Sequence, residues 1–163
     1  MKLGILSDTH DNLARIERAV TALNDAGVDF IFHLGDYCAP FSLRPLKDLR
    51  ADWMGVLGNN DGEIRGLTEA SEGKIRPGNL ALEIDGARIF ADHVNPVKGA
   101  LAASGHFDLI LYGHTHALEI YEEHRCLCVN PGEVCGYLTG RSTVVCLDLD
   151  HLTPEGVKVI DLA

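Results

Sequence analysis

The stretch KLGILSDTHDN, residues 2–12, decides how the whole chain is interpreted. Its apolar run over residues 2–7 is typical of a buried β-strand, and the run ends abruptly in the polar group Asp8-Thr9-His10. Residues 11–26 then carry apolar side chains at helical spacing, which predicts an amphipathic helix. A strand that ends in polar side chains and leads into a helix is the beginning of a βαβ unit, so the sequence predicts an α/β fold.

The elements predicted along the rest of the chain fall into two groups. The first half continues as strand, helix and strand, which favours a parallel sheet, whereas the second half contains a hairpin around Asp85-Gly86. We therefore expect two sheets packed face to face, with helices on the outside. The predicted strands are 2–7, 29–34, 52–57, 80–84, 87–91, 108–112, 118–121, 125–129, 143–148 and 157–162, and the predicted helices are 11–26, 45–50 and 97–104.

Length and composition limit the class of protein. A chain of 163 residues with 46% hydrophobic residues is expected to form a single domain over residues 1–163 with a sizeable core. No apolar segment reaches the ~18 residues that a membrane span requires, and the first residues do not resemble a signal peptide. The five cysteines match no zinc or disulfide spacing and are expected to be reduced. These features predict a cytoplasmic protein without a membrane partner.

The net charge of -10 bears on the expected partners. It argues against a nucleic-acid polymer, because neutralising a phosphate backbone requires clustered Lys and Arg side chains. It leaves a small phosphate ester open as the substrate, since bound divalent cations can supply positive charge locally. The oligomeric state also stays open, and a homo-oligomer is compatible with the sequence.

Five apolar runs end in polar clusters, and this repetition is the main functional signal. Because ligands of open α/β sheets bind beyond the carboxyl ends of the strands, clusters delivered to that edge are expected to converge on one site. Taken one at a time, each cluster is more often a helix cap or a turn, but five clusters at five strand ends favour a common function. The clusters are Asp8-Thr9-His10, Gly35-Asp36, Gly58-Asn59-Asn60-Asp61, Asp92-His93 and Gly113-His114-Thr115-His116.

The residue types in these clusters are those of a transition-metal site. Imidazole nitrogens together with carboxylate and amide oxygens suit Mn, Fe, Zn, Co or Ni better than Ca. The potential ligands are too many for one tetrahedral ion, but they suit two cations that share a bridging carboxylate. Two cations ~3.5–4 Å apart are a common arrangement for phosphoryl transfer. The clusters therefore predict a dinuclear centre that acts on phosphate esters.

The ordered set of these motifs resembles the calcineurin-like metallophosphoesterase superfamily, and its length and order are most similar to the small bacterial and archaeal phosphodiesterase branch. The resemblance extends from residue 2 to at least Gly132. It implies a four-layer αββα sandwich of two mixed β-sheets flanked by helices. It also implies a phosphodiesterase in which a hydroxide held between two divalent metal ions attacks phosphorus, with Mn as the expected metal and Ni, Fe, Zn or Co as alternatives.

The resemblance further implies a role for each ligand. Asp36 would bridge both metal ions, and no catalytic side chain is expected beyond the metal centre. The remaining ligands would divide into Asp8, His10 and His116 for the first metal and Asn59, His93 and His114 for the second.

The chain departs from the superfamily pattern in two places. Much of the superfamily has His directly after the Gly-Asn pair, where it can protonate the leaving group, whereas this chain has Asn60. An amide cannot donate that proton at neutral pH, so Asn60 is expected to contact the substrate instead. Relatives usually read His-Gly-His at the fourth motif, whereas this chain reads His93-Val94-Asn95, so the ligand is kept and its neighbours differ.

Other functions stay open at this stage. A non-catalytic interaction scaffold is the main alternative, since a eukaryotic retromer subunit shares this small fold, although all seven ligand positions here carry competent ligands. A phosphomonoesterase is a second alternative. A protein phosphatase is less favoured, because the chain lacks room for the accessory elements of those larger relatives.

Overall fold

The computed structural model describes residues 1–162, and these residues form eleven strands and three α-helices. In chain order the strands are β1 (Lys2–Leu6), β2 (Phe30–His33), β3 (Asp52–Val56), β4 (Ile75–Arg76), β5 (Leu80–Ile84), β6 (Ala87–Ala91), β7 (Leu109–Leu111), β8 (Leu118–Glu123), β9 (Cys126–Pro131), β10 (Thr143–Asp148) and β11 (Lys158–Asp161). The helices are α1 (Leu13–Ala26), α2 (Ile64–Ala70) and α3 (Lys98–Ala103), and short 3₁₀ segments lie at Pro40–Leu43, Pro45–Asp48 and Pro154–Gly156.

The strands of the described residues form two mixed sheets. The first has the order β11-β10-β1-β2-β3-β4, in which β1 to β4 are parallel and the other two are antiparallel to their neighbours. The second has the order β5-β6-β7-β9-β8, in which β6, β7 and β9 are parallel and the two edge strands are antiparallel. The predicted pair of mixed sheets is therefore confirmed.

Buried apolar side chains fill three layers between the elements. Leu23 of α1 belongs to the cluster on the outer face of the first sheet. Leu3 and Leu127 belong to the cluster between the two sheets. Ala102 of α3 packs with Ile110 on the outer face of the second sheet. Helix, sheet, sheet and helix thus stack in that order, which confirms the four-layer αββα sandwich.

The strand β1 is covered on both faces, which explains its continuous apolar sequence. A Cβ added at Gly4 would lie 2.7 Å from Cδ2 of Leu23, so the absence of a side chain lets α1 approach the strand closely. The helix begins with Asn12 as its cap and ends at Gly27, which has a φ of 62°. This packing fixes the direction in which the turn between β1 and α1 leaves the sheet.

The structure differs from the predicted elements in a few places. The helix predicted over residues 45–50 is a 3₁₀ turn at Pro45–Asp48. Sequence periodicity does not reveal α2 or β4, because α2 buries Leu67 alone and β4 is two residues long. Within residues 1–162, no helix is both long enough and apolar enough to traverse a bilayer.

Candidate metal centre

Loops that follow parallel strands of both sheets meet at one end of the sandwich. The first sheet contributes the loops after β1, β2 and β3, and the second contributes the loops after β6, β7 and β9. Asp8 Oδ2 accepts a hydrogen bond at 3.2 Å from the backbone amide of His114, which joins the two sheets. This geometry brings the five polar clusters of the sequence together.

One group of donors surrounds Asp8. His116 Nε2 lies 3.3 Å from Asp8 Oδ1, and His10 Nε2 lies 3.8 Å from the same oxygen. His10 Nε2 is also 3.4 Å from Asp36 Oδ2. Each of these four residues offers one ligand atom, and the four atoms lie within 4.8 Å of one another. The group has the size and composition of a cation site.

A second group lies on the other side of Asp36. Asn59 Oδ1 is 3.0 Å from His93 Nε2 and 2.8 Å from His114 Nδ1. His93 Nε2 is 3.4 Å from Asp36 Oδ2, so this carboxylate oxygen is equally close to His10 and to His93. Asn59 and His114 are exposed, whereas Asp36 and His93 are buried. The second group therefore forms the side of the centre that is open to solvent.

The residues present fit a divalent transition metal. In the part of the chain that the structure describes, Asp8 Oδ1 and His10 Nε2 are buried and have no hydrogen-bond partner. Buried polar atoms without a partner cost free energy, and a cation between them would satisfy both. The mixture of imidazole nitrogens and oxygens suits Mn, Fe, Co, Ni or Zn.

Hydrogen bonds on the far side of two imidazoles determine which nitrogen faces the centre. His93 Nδ1 lies 2.6 Å from the Leu34 carbonyl oxygen, and His116 Nδ1 lies 2.7 Å from Glu133 Oε2. Because both partners are acceptors, each Nδ1 carries the proton and donates it. Nε2 of His93 and of His116 is then left with a lone pair directed at the centre.

Hydrogen bonds also determine the charge of two carboxylates, Asp36 and Glu133. Burial raises the pKa of Asp36, but the nearby imidazole of His93 and the hydrogen bonds from Asn60 outweigh this effect and hold the pKa well below its usual range. The backbone and side-chain amides of Asn60 donate to the two oxygens of Asp36 at 2.8 and 2.7 Å. Burial also raises the pKa of Glu133, but donors that include Cys135 and His116 lower it to about 2. Both carboxylates are ionised at neutral pH.

The backbone of the ligand loops is unusual. Left-handed φ angles cost non-glycine residues roughly 1–2 kcal/mol each, and such strain concentrates at functional sites. A Cβ at Gly58 would collide with the Asp36 carboxylate, so the turn before Asn59 requires glycine for space. The expected ligands with positive φ are Asp8 (54°), His10 (40°), Asp36 (57°), His114 (69°) and His116 (60°).

Two buried carboxylates belong to this end of the fold although the sequence analysis gives them no role. Asp61 accepts hydrogen bonds from the amides of Asp36, Cys38 and Gly58 at 3.0, 2.8 and 2.6 Å, and so ties two ligand loops together. Glu133 binds His116. Glu133 lies two residues after the end of a strand, as Asp8 does, and this position is the signal that could have identified it.

The two departures from the superfamily pattern have defined positions. Asn60 is exposed and its side chain donates to Asp36, while its contact with substrate stays a prediction. Asn95 is buried, and neither polar atom of its side chain has a hydrogen-bond partner among residues 1–162.

Comparisons with known proteins indicate the family of this chain. Residues 1–152 match the model of the calcineurin-like phosphoesterase superfamily domain. A phosphodiesterase of Methanocaldococcus jannaschii is 38% identical over 156 residues, which cover 92% of this chain and 94% of the relative. The solved structure of an archaeal phosphodiesterase superposes with a TM-score of 0.91 at 36% identity, covering 99% of this chain and 100% of that one.

More distant structures share the fold. A phosphoesterase from E. coli has a TM-score of 0.74 at 20% identity, with 100% of both chains covered. Vacuolar Protein Sorting 29 from Cryptosporidium parvum has a TM-score of 0.67 at 14% identity, covering 99% of this chain and 97% of that one. The family match and the close archaeal relative settle the classification: the chain belongs to the calcineurin-like phosphoesterase superfamily.

Proposed function

We propose that this chain is a metal-dependent phosphodiesterase that binds two divalent cations where its two sheets meet. The observation that carries the proposal is the position of Asp36, whose Oδ2 lies 3.4 Å from His10 Nε2 and 3.4 Å from His93 Nε2. A carboxylate shared by two groups of donors is the arrangement that two neighbouring cations require. The 38% identity to a named phosphodiesterase supports a diester as the substrate class.

The ligand assignment follows the two groups of donors. When bound, the cations would supply an activated water and positive charge that stabilises the phosphoryl oxygens. The chain itself positions each donor and sets its protonation state. Hydrogen bonds to Leu34 and Glu133 keep the proton of two imidazoles on Nδ1, away from the centre. In this proposal Asp8, His10 and His116 hold one cation, Asn59, His93 and His114 hold the other, and Asp36 contacts both.

Manganese as the metal and the cytoplasm as the location are further parts of the proposal. The mixed nitrogen and oxygen donors suit manganese, and all five cysteines are free thiols, as is usual in a reducing compartment. We propose a single domain over residues 1–163 that acts on a small phosphate ester. The net charge of -10 argues against a nucleic-acid polymer as the substrate.

The donor atoms distinguish a cation-binding protein from a scaffold of the same fold that binds no cations. A protein that never binds cations gains nothing from buried polar atoms without partners, because such atoms destabilise the folded state. Asp8 Oδ1 and His10 Nε2 are atoms of this kind within the described residues. These two atoms without partners support cation binding.

The test combines metal analysis with two substrates. Protein loaded with Mn²⁺ and dialysed should retain two ions per chain and hydrolyse bis-para-nitrophenyl phosphate faster than para-nitrophenyl phosphate. Asp36→Asn should lose both ions and the activity, whereas Asp25→Asn, an exposed substitution on α1, should retain both.

Each failure of this test has its own meaning. Full retention of one ion in Asp36→Asn would refute the shared carboxylate. A fully loaded wild type with no activity would favour the scaffold, and a preference for the monoester would favour a phosphomonoesterase.

A further inference from the structure

Glu133 is a fully buried carboxylate that lies two residues after the end of β9. A buried charge destabilises the folded state unless hydrogen bonds satisfy it, and Glu133 is satisfied by an unusually large set of donors. These are His116 Nδ1 (2.7 Å), Cys135 Sγ (3.0 Å), the amides of Tyr137 (3.1 Å), Leu138 (3.1 Å) and Thr139 (2.6 Å), and Thr139 Oγ1 (2.7 Å).

One side of Glu133 faces the candidate centre. Its Oε2 accepts a hydrogen bond from Nδ1–H of His116. Nε2 of the same ring then faces Asp8 Oδ1 at 3.3 Å. A carboxylate behind a ligating imidazole fixes the tautomer and the ring orientation, and makes the ligand nitrogen more basic. Glu133 therefore determines whether His116 presents a lone pair or a proton to a cation.

The other side of Glu133 holds a surface segment. Residues 137–139 belong to neither a helix nor a strand, and their three amides donate to the Glu133 carboxylate. Tyr137 and Leu138 are 63% and 74% exposed, so packing contributes little to their position. The segment is thus ordered mainly by the carboxylate that also orders His116.

We propose that Glu133 is a positioning residue that couples cation binding through His116 to the order of the segment 137–139. The inference rests on the ligand role of His116 in the proposed function. A cation that fixes His116 also fixes Glu133, and the fixed carboxylate holds the three amides. The coupling is reciprocal, so an ordered segment favours the cation-binding orientation of His116.

The first test concerns the imidazole. Gln at position 133 has one acceptor oxygen instead of two, and with that oxygen on the segment its NH₂ group faces His116 Nδ1. The ring must then carry its proton on Nε2. Glu133→Gln should weaken binding of the first Mn²⁺ by about 10- to 100-fold. Long-range ¹H–¹⁵N spectra of the metal-free protein should show that His116 has lost its Nδ1–H tautomer.

Thr139→Val is the matched control, because it removes the hydroxyl that donates to Glu133 and contacts the Arg141 backbone, and leaves the bond between Glu133 and His116 intact. This variant should keep the Nδ1–H tautomer and an Mn²⁺ affinity within a few-fold of wild type. Equal Mn²⁺ affinity in wild type and Glu133→Gln, with the tautomer unchanged, would overturn the role of Glu133. A wild type that binds no Mn²⁺ would instead overturn the proposed function.

The second test uses the wild type alone, so it is independent of how well the variants fold. Amide hydrogen exchange of Tyr137, Leu138 and Thr139 should slow at least tenfold when Mn²⁺ is added. Exchange should be compared with that of helix α1 in the same sample, which corrects for global stabilisation. Slowing no greater than that of α1, with both cations bound, would overturn the coupling.

Discussion

His114 is exposed and has a φ of 69°, so packing does not explain its backbone conformation. The left-handed region costs a residue with a Cβ roughly 1–2 kcal/mol, and glycine adopts it without that cost. In the proposed function, cation binding by the imidazole offsets this strain. Removing the imidazole therefore leaves this strain without compensation from cation binding, while the backbone amide still donates to Asp8.

Two variants that both lack the imidazole should therefore differ in stability. In the metal-free protein, His114→Gly should be more stable than His114→Ala by about 1 kcal/mol, because only glycine relieves the strain. For a chain of this size the difference corresponds to roughly 2–4 °C in melting temperature. Thermal unfolding in the presence of a chelator would measure it, and an alanine variant as stable as the glycine variant would contradict it.

Asn60 leads to a prediction about the leaving group. The side-chain amide of Asn60 cannot transfer a proton to the leaving group at neutral pH, so it cannot act as a general acid. Assistance by a general acid typically increases the rate by about 10²–10⁴-fold. Aryl diesters, which leave as weakly basic phenolates, should therefore be cleaved much faster than alkyl diesters. Asn60→His should raise kcat/KM selectively for alkyl diesters, because the imidazole can protonate the departing oxygen.

The measurement is kcat/KM against the leaving-group pKa for both proteins. The Asn60 backbone amide donates to Asp36 Oδ1 and is kept in the variant, so the carboxylate keeps one of its donors. A shallow dependence in the wild type, unchanged by the substitution, would mean that another group already supplies the proton.

The candidate metal ligands could be predicted from the sequence, whereas the residues that hydrogen-bond to them could not. Each predicted ligand follows a strand, so the alternation of strands and helices in the sequence was sufficient to predict that these side chains lie at one edge. The role of Glu133 depends on hydrogen bonds that its carboxylate accepts from amides later in the chain, and no sequence period encodes these bonds. The left-handed φ of His10 and His116 is likewise a result of tertiary structure, since histidine has no intrinsic preference as strong as that of glycine.

Among the elements, α1 connects the packing of the first sheet to the candidate centre. Its cap residue, Asn12, accepts a hydrogen bond from the Arg15 amide at 3.3 Å. The same side chain donates at 3.0 Å to the Cys135 carbonyl, in the loop after β9. The side-chain amide of Asn12 therefore joins the start of a helix on the first sheet to a loop of the second sheet.

We predict that Asn12→Ala lowers the free energy of unfolding by about 1–2 kcal/mol, because both the cap and the link between loops are lost. Asn12→Ser should lose less, since the hydroxyl retains the cap acceptor and gives up the donation to Cys135. Denaturant unfolding of the two variants beside wild type would measure both effects. Equal stability of Ala and Ser would show that the cap contributes nothing.

Long, regular elements were predictable, and short ones were not. The helix predicted over residues 11–26 begins at Leu13, because Asn12 accepts the hydrogen bond from Arg15 and caps it. The hairpin strands β5 and β6 match the prediction at both ends, because the turn residues between them mark the boundaries. The two-residue strand β4 forms by pairing with β3, and this tertiary contact leaves no local pattern.

At the scale of the whole molecule, the centre joins the sheets of a chain that carries a net charge of -10. Asp8 and Asp36 are buried close to the same imidazole, His10. Without cations, the repulsion between the two carboxylates opposes the folded state. With cations, ligands from both sheets are held together, and binding to the native state alone adds stability by mass action.

Thorough chelation should therefore lower the melting temperature, and Mn²⁺ should restore it. At a free concentration 100 times the dissociation constant, one site contributes about 2.7 kcal/mol. That contribution corresponds to roughly 5–10 °C for a chain of this length. Calorimetry with and without Mn²⁺ would measure the shift, and Asp36→Asn should respond far less than wild type. An unchanged curve after verified removal of metal would contradict a preformed centre.

The distance along the chain between the proposed ligands also limits when the proposed centre could acquire its cations. Asp8 is synthesised early and His116 late, while β1, which leads to Asp8, pairs with β10 near the other end of the sequence. A nascent chain on the ribosome therefore lacks the complete set of donors until most of it has emerged. Loading must therefore follow the emergence of these late residues, so the divalent cation that is most available when the two sheets close is the one that the centre encounters first.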